Sequence, residues 1–253
     1  MKLYGGIDLH SNNSVIALLD EQDSPVYRRR LGNDLGIILS ELAPHQTSIE
    51  GLVVESTYNW YWLVDGLMEA GYRVHLANTA AIVQYEGLKF TNDDSDARWL
   101  AKLLRLGLLP EGYIYPREDR AVRDLLRKRS QLVRQRTSNL FSVQNLLARN
   151  LGHSLSANAI KRLPPEEVDR LLPEAHLALA VKSNRAVMQA LDVQIGELEK
   201  VVKASIRPRP EFQPLLTVSG IGEILGLTIV LETGEISRLG VDLFLLYATT
   251  GCT

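Results

Sequence analysis

The sequence predicts a mixed α/β domain that is followed by a long helical segment and a small helical region. Three observations lead to this prediction. Short apolar runs alternate with helical patterns over residues 1–116, a stretch without proline or glycine covers residues 117–151, and apolar helical patterns flank a glycine turn at residues 220–222. We therefore expect an α/β domain over 1–116, a helical coiled-coil segment over 117–210 and a third part over 211–253.

The first 116 residues have the patterns of a sheet with helices packed on it. Five short β-rich runs are bounded by turn residues or helical patterns, and the fourth contains three consecutive buried-type residues, Leu52, Val53 and Val54. Helices are expected after Asn33-Asp34, after Ser56 or Thr57, and from Ser95. The predicted strands are residues 3–9, 14–19, 25–31, 49–55 and 73–77.

Composition narrows the class of protein. The 253 residues are 45% hydrophobic and 23% charged, which is ordinary for a globular chain. Cys252 is the single cysteine, so neither a disulfide framework nor a cysteine-based zinc site is expected. No apolar run is long enough for a bilayer, and the N-terminus lacks the pattern of a secretory signal. A cytoplasmic protein without a membrane partner is the expectation.

Charge is distributed unevenly along the chain. Residues 117–162 hold 11 basic and 3 acidic side chains, a net charge of +8, whereas the whole chain has a net charge of −2. A polyanion-binding segment and a solvated helix face both fit this pattern, and the scarcity of acidic residues nearby in sequence favours the first.

Two apolar repeats with a period of seven residues predict long helices. Residues 117–151 would form one helix of roughly 50 Å at 1.5 Å per residue. A second helix follows Pro173. An antiparallel hairpin, a coil between subunits, or both would bury these repeats. The repeats are Leu126, Val133, Leu140 and Leu147 in the first helix, and Val181, Met188, Ile195 and Val202 in the second.

Four carboxylates stand where a shared site could form. Asp8 and Glu55 each end an apolar strand, and Asp93 and Asp96 lie three residues apart at the start of a helix. If the first and fourth strands are neighbours, these groups converge and repel each other unless a cation compensates. Mg²⁺ or Mn²⁺ prefers such oxygen ligands. The alternative is that these residues have separate roles, with Asp8 as a turn former, Glu55 as a charge at a strand end and Asp96 as an acid in the first turn of a helix.

Five segments of the chain have distinctive motifs, and they are VVESTYNWYW (53–62), GYRVHLAN (71–78), TNDDSDA (91–97), GIG (220–222) and LYATTG (246–251). Together these segments resemble the DEDD transposases of insertion sequences, the IS110 family. The opening Gly6-Ile7-Asp8 with its hairpin also resembles the RNase H-like nuclease and transposase fold. The resemblance extends over nearly the whole chain, and its segments occur in the order that the family has.

The resemblance implies an RNase H-like, RuvC-like catalytic domain with a magnesium site of Asp8, Glu55, Asp93 and Asp96. It further implies a recombinase that moves an insertion sequence, bound to DNA at the nucleoid, directed by a guide RNA and assembled as a homo-oligomer through the coiled coil. The basic side chains expected to contact nucleic acid are Arg123, Arg127, Lys128, Arg134, Arg136 and Arg149.

The resemblance also implies a serine nucleophile in the second domain, beyond the segment that ends at Gly251. Ser219 and Ser237 do not match that place, so the sequence predicts a truncated form that does not recombine DNA. Three other functions stay open. They are a sugar-kinase-like or actin-like ATPase, a RuvC-like junction nuclease, and a decayed copy that only binds nucleic acid.

Overall fold

The computed structural model describes residues 1–82, 93–205, 210 and 212–234, with only the backbone at positions 93 and 94. The chain divides into two compact units, Met1–Ile114 and Tyr115–Thr253. None of the described helices is long and apolar enough to cross a membrane.

The first unit contains a six-stranded mixed sheet, which confirms the mixed α/β prediction. The strand order is β3-β2-β1-β4-β5-β6. β1 to β3 form an antiparallel meander, β1, β4 and β5 are parallel, and β6 is antiparallel to β5. The two-residue β6 is a strand that sequence patterning did not indicate. The strands are β1 Leu3–Leu9, β2 Asn13–Leu19, β3 Pro25–Gly32, β4 Ile49–Glu55, β5 Val74–Ala77 and β6 Glu111–Gly112.

Helices cover both faces of this sheet. Two of them pack on the face that presents Ile7 and Ile16, and a third packs on the face that presents Val15 and Ala17. A short 3₁₀ helix over Ala43–Ser48 leads into β4, and another spans Thr79–Ala81. The α-helices of this unit are α1 Leu35–Leu42, α2 Tyr61–Glu69 and α3 Asp93–Arg105.

A glycine in β1 lets α3 lie directly against the sheet. A Cβ atom on Gly6 would come within 1.9 Å of the Ala97 carbonyl oxygen and 2.8 Å of the Ala101 nitrogen. Because any side chain there would collide with helix backbone, the glycine sets how closely α3 approaches β1. The start of α3 is thereby held beside the end of β1.

Two long helices, α4 and α7, dominate the second unit. α4 ends at Gly152, which has the left-handed φ of +74° that favours glycine. The helices of this unit are α4 Arg117–Leu151, α5 Ala157–Arg162, α6 Pro165–Leu171, α7 Ala175–Ala204, α8 Phe212–Leu216 and α9 Glu223–Thr233.

α4 and α7 pair with each other as an antiparallel hairpin. Leu126 shares a buried cluster with Val202, whereas Leu147 shares another with Val181, so the two helices run in opposite directions. The sequence left open an antiparallel hairpin, a coil between subunits, or both, and the structure contains the hairpin within one chain. Leu126 and Leu147 of the first repeat are buried and Val133 and Leu140 are half-buried. A supercoiled seam between subunits stays a prediction.

The glycine turn near residue 221 lies between two helices, α8 and α9, as expected. Phe212 of α8 packs with Leu227, Val230 and Leu231 of α9 in the same cluster as Leu126. The segment 246–251 lies outside the described residues.

Candidate active site

Two carboxylates are brought together at the ends of neighbouring strands. β1 and β4 are parallel and adjacent, with Ile7 paired to Val54, so Asp8 and Glu55 follow side by side and point to the same face. This is the neighbour relation on which the predicted site depended. Asp8 is buried, with 4% of its surface exposed, and Glu55 is partly buried.

A third carboxylate reaches the pair from α3. Asp96 lies in the first turn of that helix, which Gly6 holds against β1. Its charge acts on Glu55, and the carboxyl groups of Glu55 and Asp8 are hydrogen-bonded to each other. The structure thus brings Asp8 and Glu55 together and places Asp96 near enough for its charge to act on Glu55. Asp93 is the first residue of α3, and its side chain is outside the described part of the chain.

The carboxyl group of Glu55 has a strongly raised pKa. Burial is the largest cause, the hydrogen bond and charge of Asp8 come next, and the charge of Asp96 adds to them. Together they raise the pKa of Glu55 from 4.5 to about 8. A hydrogen bond between two carboxyl groups needs one proton, and the raised pKa places that proton on Glu55 at neutral pH.

A network of amide side chains fixes the loops around this centre. The carbonyl oxygen of His10 accepts hydrogen bonds from Asn33 Nδ2 at 2.9 Å and from Asn59 Nδ2 at 3.0 Å. Thr57 Oγ1 donates to Asn59 Oδ1 at 2.8 Å. Asn59 therefore ties the loop after β4 to the loop after β1, which keeps Asp8 and Glu55 adjacent.

Sequence reasoning did not identify these asparagines as site residues. The available signal was their position, because Asn33 directly follows β3 and Asn59 follows the strand end at Glu55. The side chain of His10 makes a further contact, with its Nε2 atom 3.2 Å from Asp8 Oδ2.

The structure does not present a ready-made metal cage in the residues that it describes. No group of three or more His, Cys, Asp or Glu side chains in that part of the chain has the arrangement of a metal-binding set.

Three of the predicted nucleic-acid contacts on α4 make ion pairs within the second unit. Arg123 Nη2 lies 2.9 Å from Glu232 Oε2, and its guanidinium stacks 3.7 Å from the centre of the Tyr115 ring. Arg127 Nε pairs with Glu232 Oε1 at 2.6 Å. The two arginines hold the pKa of the Glu232 carboxyl below its usual value. Arg136 pairs with Asp192 of α7.

The remaining three basic residues are exposed on α4. Lys128 Nζ donates to Gln131 Oε1 at 2.9 Å, within the same helix. Arg134 and Arg149 are both exposed. Lys128, Arg134 and Arg149 are therefore more accessible to a phosphate than Arg123, which is buried and paired. Ser219 is exposed in the turn before Gly220, and Ser237 lies outside the described residues.

Comparison with known proteins places this chain in a family. A family model described as "Transposase", the DEDD transposase of IS110 elements, matches residues 5–150, which include all four predicted carboxylates. The chain is also similar to a probable family 20 transposase of Pseudomonas aeruginosa, with 26% identity over 239 residues that span 91% of this chain and 68% of the relative. Since the family model matches more than half of the chain, the protein belongs to the DEDD transposase family of IS110 insertion sequences.

Proposed function

We propose that this chain contains the carboxylate centre of a recombinase that cuts and rejoins DNA during movement of an insertion sequence, formed by Asp8, Glu55, Asp93 and Asp96. The observation that carries the proposal is the hydrogen-bonded pair of Asp8 and Glu55 with Asp96 beside it. Perturbed carboxyl groups that converge at strand ends are a frequent feature of catalytic sites.

The donor set fits Mg²⁺ or Mn²⁺. All four proposed ligands are carboxylates, the hard oxygen ligands that these ions prefer. A bound cation would relieve the repulsion between their negative charges. Asp8, Glu55 and Asp96 would hold the ion, and Asp93 is proposed as the fourth ligand. When bound, divalent ions supply neutralising charge at the attacked phosphate and acidify an attacking hydroxyl group.

The residues of the chain itself have distinct roles in this proposal. Glu55 holds a proton at neutral pH, and it would have to lose that proton to serve as a metal ligand. Asn33 and Asn59 position the loop at His10 and so keep the strand ends in place. Burial of Asp8 limits its contact with water, which strengthens its electrostatic interactions.

A guide RNA and a DNA substrate are the proposed partners, and the protein would then act at the nucleoid. The exposed cations Lys128, Arg134 and Arg149 on α4 supply sequence-independent contacts to phosphates. Residues on the outer side of α4 and α7 include exposed apolar side chains, Phe141 and Val193 among them. This supports assembly as a homo-oligomer along these helices.

Thermal melting with and without metal tests the carboxylate centre. Mn²⁺ at 100 times its dissociation constant should stabilise the protein by about 2.7 kcal/mol, which corresponds to a rise of roughly 5–10 °C in Tm. The variant with Asp8→Ala and Asp96→Ala should lose this rise. Glu50→Gln is the matched control, because Glu50 is an exposed carboxylate at the other end of β4 that pairs with Lys2 at 3.2 Å. An equal metal response in all three proteins would refute the site.

Nucleic acid that copurifies with the protein tests the proposed guide RNA. Sequencing of the bound RNA should return one structured transcript of the element itself. A RuvC-like nuclease would cleave DNA in Mg²⁺ without such an RNA, and a remnant that only binds nucleic acid would not cleave at all. RNA without a dominant sequence would contradict the guide.

A further inference from the structure

The edge strand β3 places two arginines on the same face of the sheet as the carboxylates. In the register of the meander, Asp8 pairs with Val15 and Val15 pairs with Arg30, so these three residues form one row across the sheet. Directly paired residues project to one face. At the usual strand spacing, the Cα atom of Arg30 lies roughly 10 Å from that of Asp8.

The neighbouring row repeats this arrangement. Gly6 pairs with Ala17 and Ala17 pairs with Arg28, so Arg28 projects to the same face as Arg30. Both arginines are exposed, and Arg30 also donates to Asn13 Oδ1 at 3.1 Å. Arg29, between them, projects to the opposite face, where its Nη1 atom pairs with Glu41 of α1 at 3.0 Å.

A groove along α3 opens on the side of β2 and of the turn between β2 and β3. It has a volume of about 230 Å³, and it starts at Ser95, the residue next to Asp96. Arg98 is exposed in this groove and has no ion-pair partner among the residues that the structure describes. The groove is lined by Leu19, Asp23, Ser95, Arg98, Trp99 and Lys102.

Asp23, the one carboxylate among the described residues that line the groove, is already neutralised. Asp23 accepts two hydrogen bonds from Arg105, at 2.7 and 2.9 Å, and lies 3.3 Å from Lys102 Nζ. Asp23, Arg98, Lys102 and Arg105 together have a net charge of +2. The half-exposed indole of Trp99 adds a flat surface of the kind on which nucleotide bases and sugars pack.

We propose that Arg28, Arg30 and Arg98 flank a binding path for a DNA strand whose phosphates lead to the carboxylate centre. The inference deepens the proposed function, on which it rests, by assigning a substrate-positioning surface to the first unit. A cluster of carboxylates repels a polyanion, so nearby cations are needed to hold the strand there. Arg30 projects from β3 on the face of the sheet that α3 covers, and Arg98 is exposed on α3.

Binding of a fluorescein-labelled DNA duplex, followed by anisotropy in EDTA, tests this path in the full chain. Each phosphate contact that is lost should reduce the steepness of log affinity against log salt by about 0.9. If a variant and the wild type bind equally at 1 M salt, the variant should therefore bind about 8-fold more weakly at 0.1 M salt for each lost contact. The variant with Arg28→Gln and Arg30→Gln should therefore bind up to about 60-fold more weakly. Arg29→Gln is the control, because it removes one positive charge from the same strand on the opposite face, where no loss is expected.

Three outcomes would overturn the proposal. They are an unchanged slope in the double variant with an unchanged melting temperature, an equal loss in Arg29→Gln, and no DNA binding by the wild type. Should the double variant fail to fold, Arg98→Gln on α3 tests the same path, with an expected loss of about 8-fold.

The test is independent of the metal site. Because EDTA removes divalent ions, a reduced slope with no metal-dependent rise in Tm would support the path and refute the metal centre. A metal-dependent rise in Tm with an unchanged salt slope would support the metal centre and refute the path.

Discussion

Replacement of Glu55 by glutamine should remove a large pH dependence from the stability of the protein. The pKa of Glu55 is about 8 in the folded protein and 4.5 as the reference for the unfolded chain. The folded state therefore binds more protons than the unfolded state between these values, and the free energy of unfolding falls as the pH rises through them. The stabilisation is fully present below pH 4.5 and is lost as the pH passes 8.

The magnitude follows from the size of the shift. At 1.36 kcal/mol per pKa unit, a shift from 4.5 to about 8 corresponds to an upper value of about 5 kcal/mol. Water reaches part of the Glu55 carboxyl and screens its repulsion by Asp8 and Asp96, so we expect a measured loss of about 2–3 kcal/mol. Glutamine has the shape of protonated glutamate and cannot ionise, so the variant should not show this loss.

Urea unfolding at several pH values between 4.5 and 8 provides the measurement. As the pH rises, the free energy of unfolding of the wild type should fall relative to that of Glu55→Gln, so the variant becomes the more stable protein by a growing margin. Glu50→Gln, at the other end of β4, should follow the wild type. Parallel curves for wild type and Glu55→Gln would refute the convergence of the three carboxylates, because an isolated glutamate titrates near 4.5 in both states.

Two further predictions concern packing and ion pairs. Gly6→Ala should destabilise the first unit by about 3 kcal/mol, because the added methyl group meets the backbone of α3, whereas Gly32→Ala, with no atom within 4 Å of the new Cβ, should change the stability by less than about 1 kcal/mol. Equal melting temperatures for the two variants would contradict the close approach. Arg123→Ala should cost about 2–3 kcal/mol in urea unfolding, since it removes a buried ion pair and a ring contact, and exposed Arg134→Ala should cost less than about 0.5 kcal/mol. Equal losses in these two would show that Arg123 is not held by Glu232.

Local patterns predicted the sheet and the carboxylate pair well. The prediction for residues 49–55 matches β4, and residues 3–9 match β1, because both are apolar runs bounded by polar residues. The convergence of Asp8 and Glu55 followed from one topological assumption, that β1 and β4 are neighbours. β6 was missed because two residues carry no periodicity.

The electrostatics of α4 could not be predicted in the same way. The net charge of +8 over residues 117–162 indicated a binding surface because only three acidic residues lie among the 11 basic ones. In the fold, acidic partners come from distant helices, with Glu199 and Asp192 on α7 and Glu232 on α9. Such pairs depend on the tertiary arrangement of α4, α7 and α9, and no spacing rule within α4 reveals them.

The charged edge strand also bears on how the folded protein behaves at high concentration. β3 is one border of the sheet, and its outward hydrogen-bonding groups could otherwise accept a strand from another molecule. β3 contains three consecutive arginines, of which Arg28 and Arg30 project to one face of the sheet and Arg29 projects to the other. A second copy that approached this border edge to edge would meet the same charges, and their repulsion opposes growth of the sheet from one molecule into the next. The arginines of β3 thus protect the protein from aggregation through its own sheet.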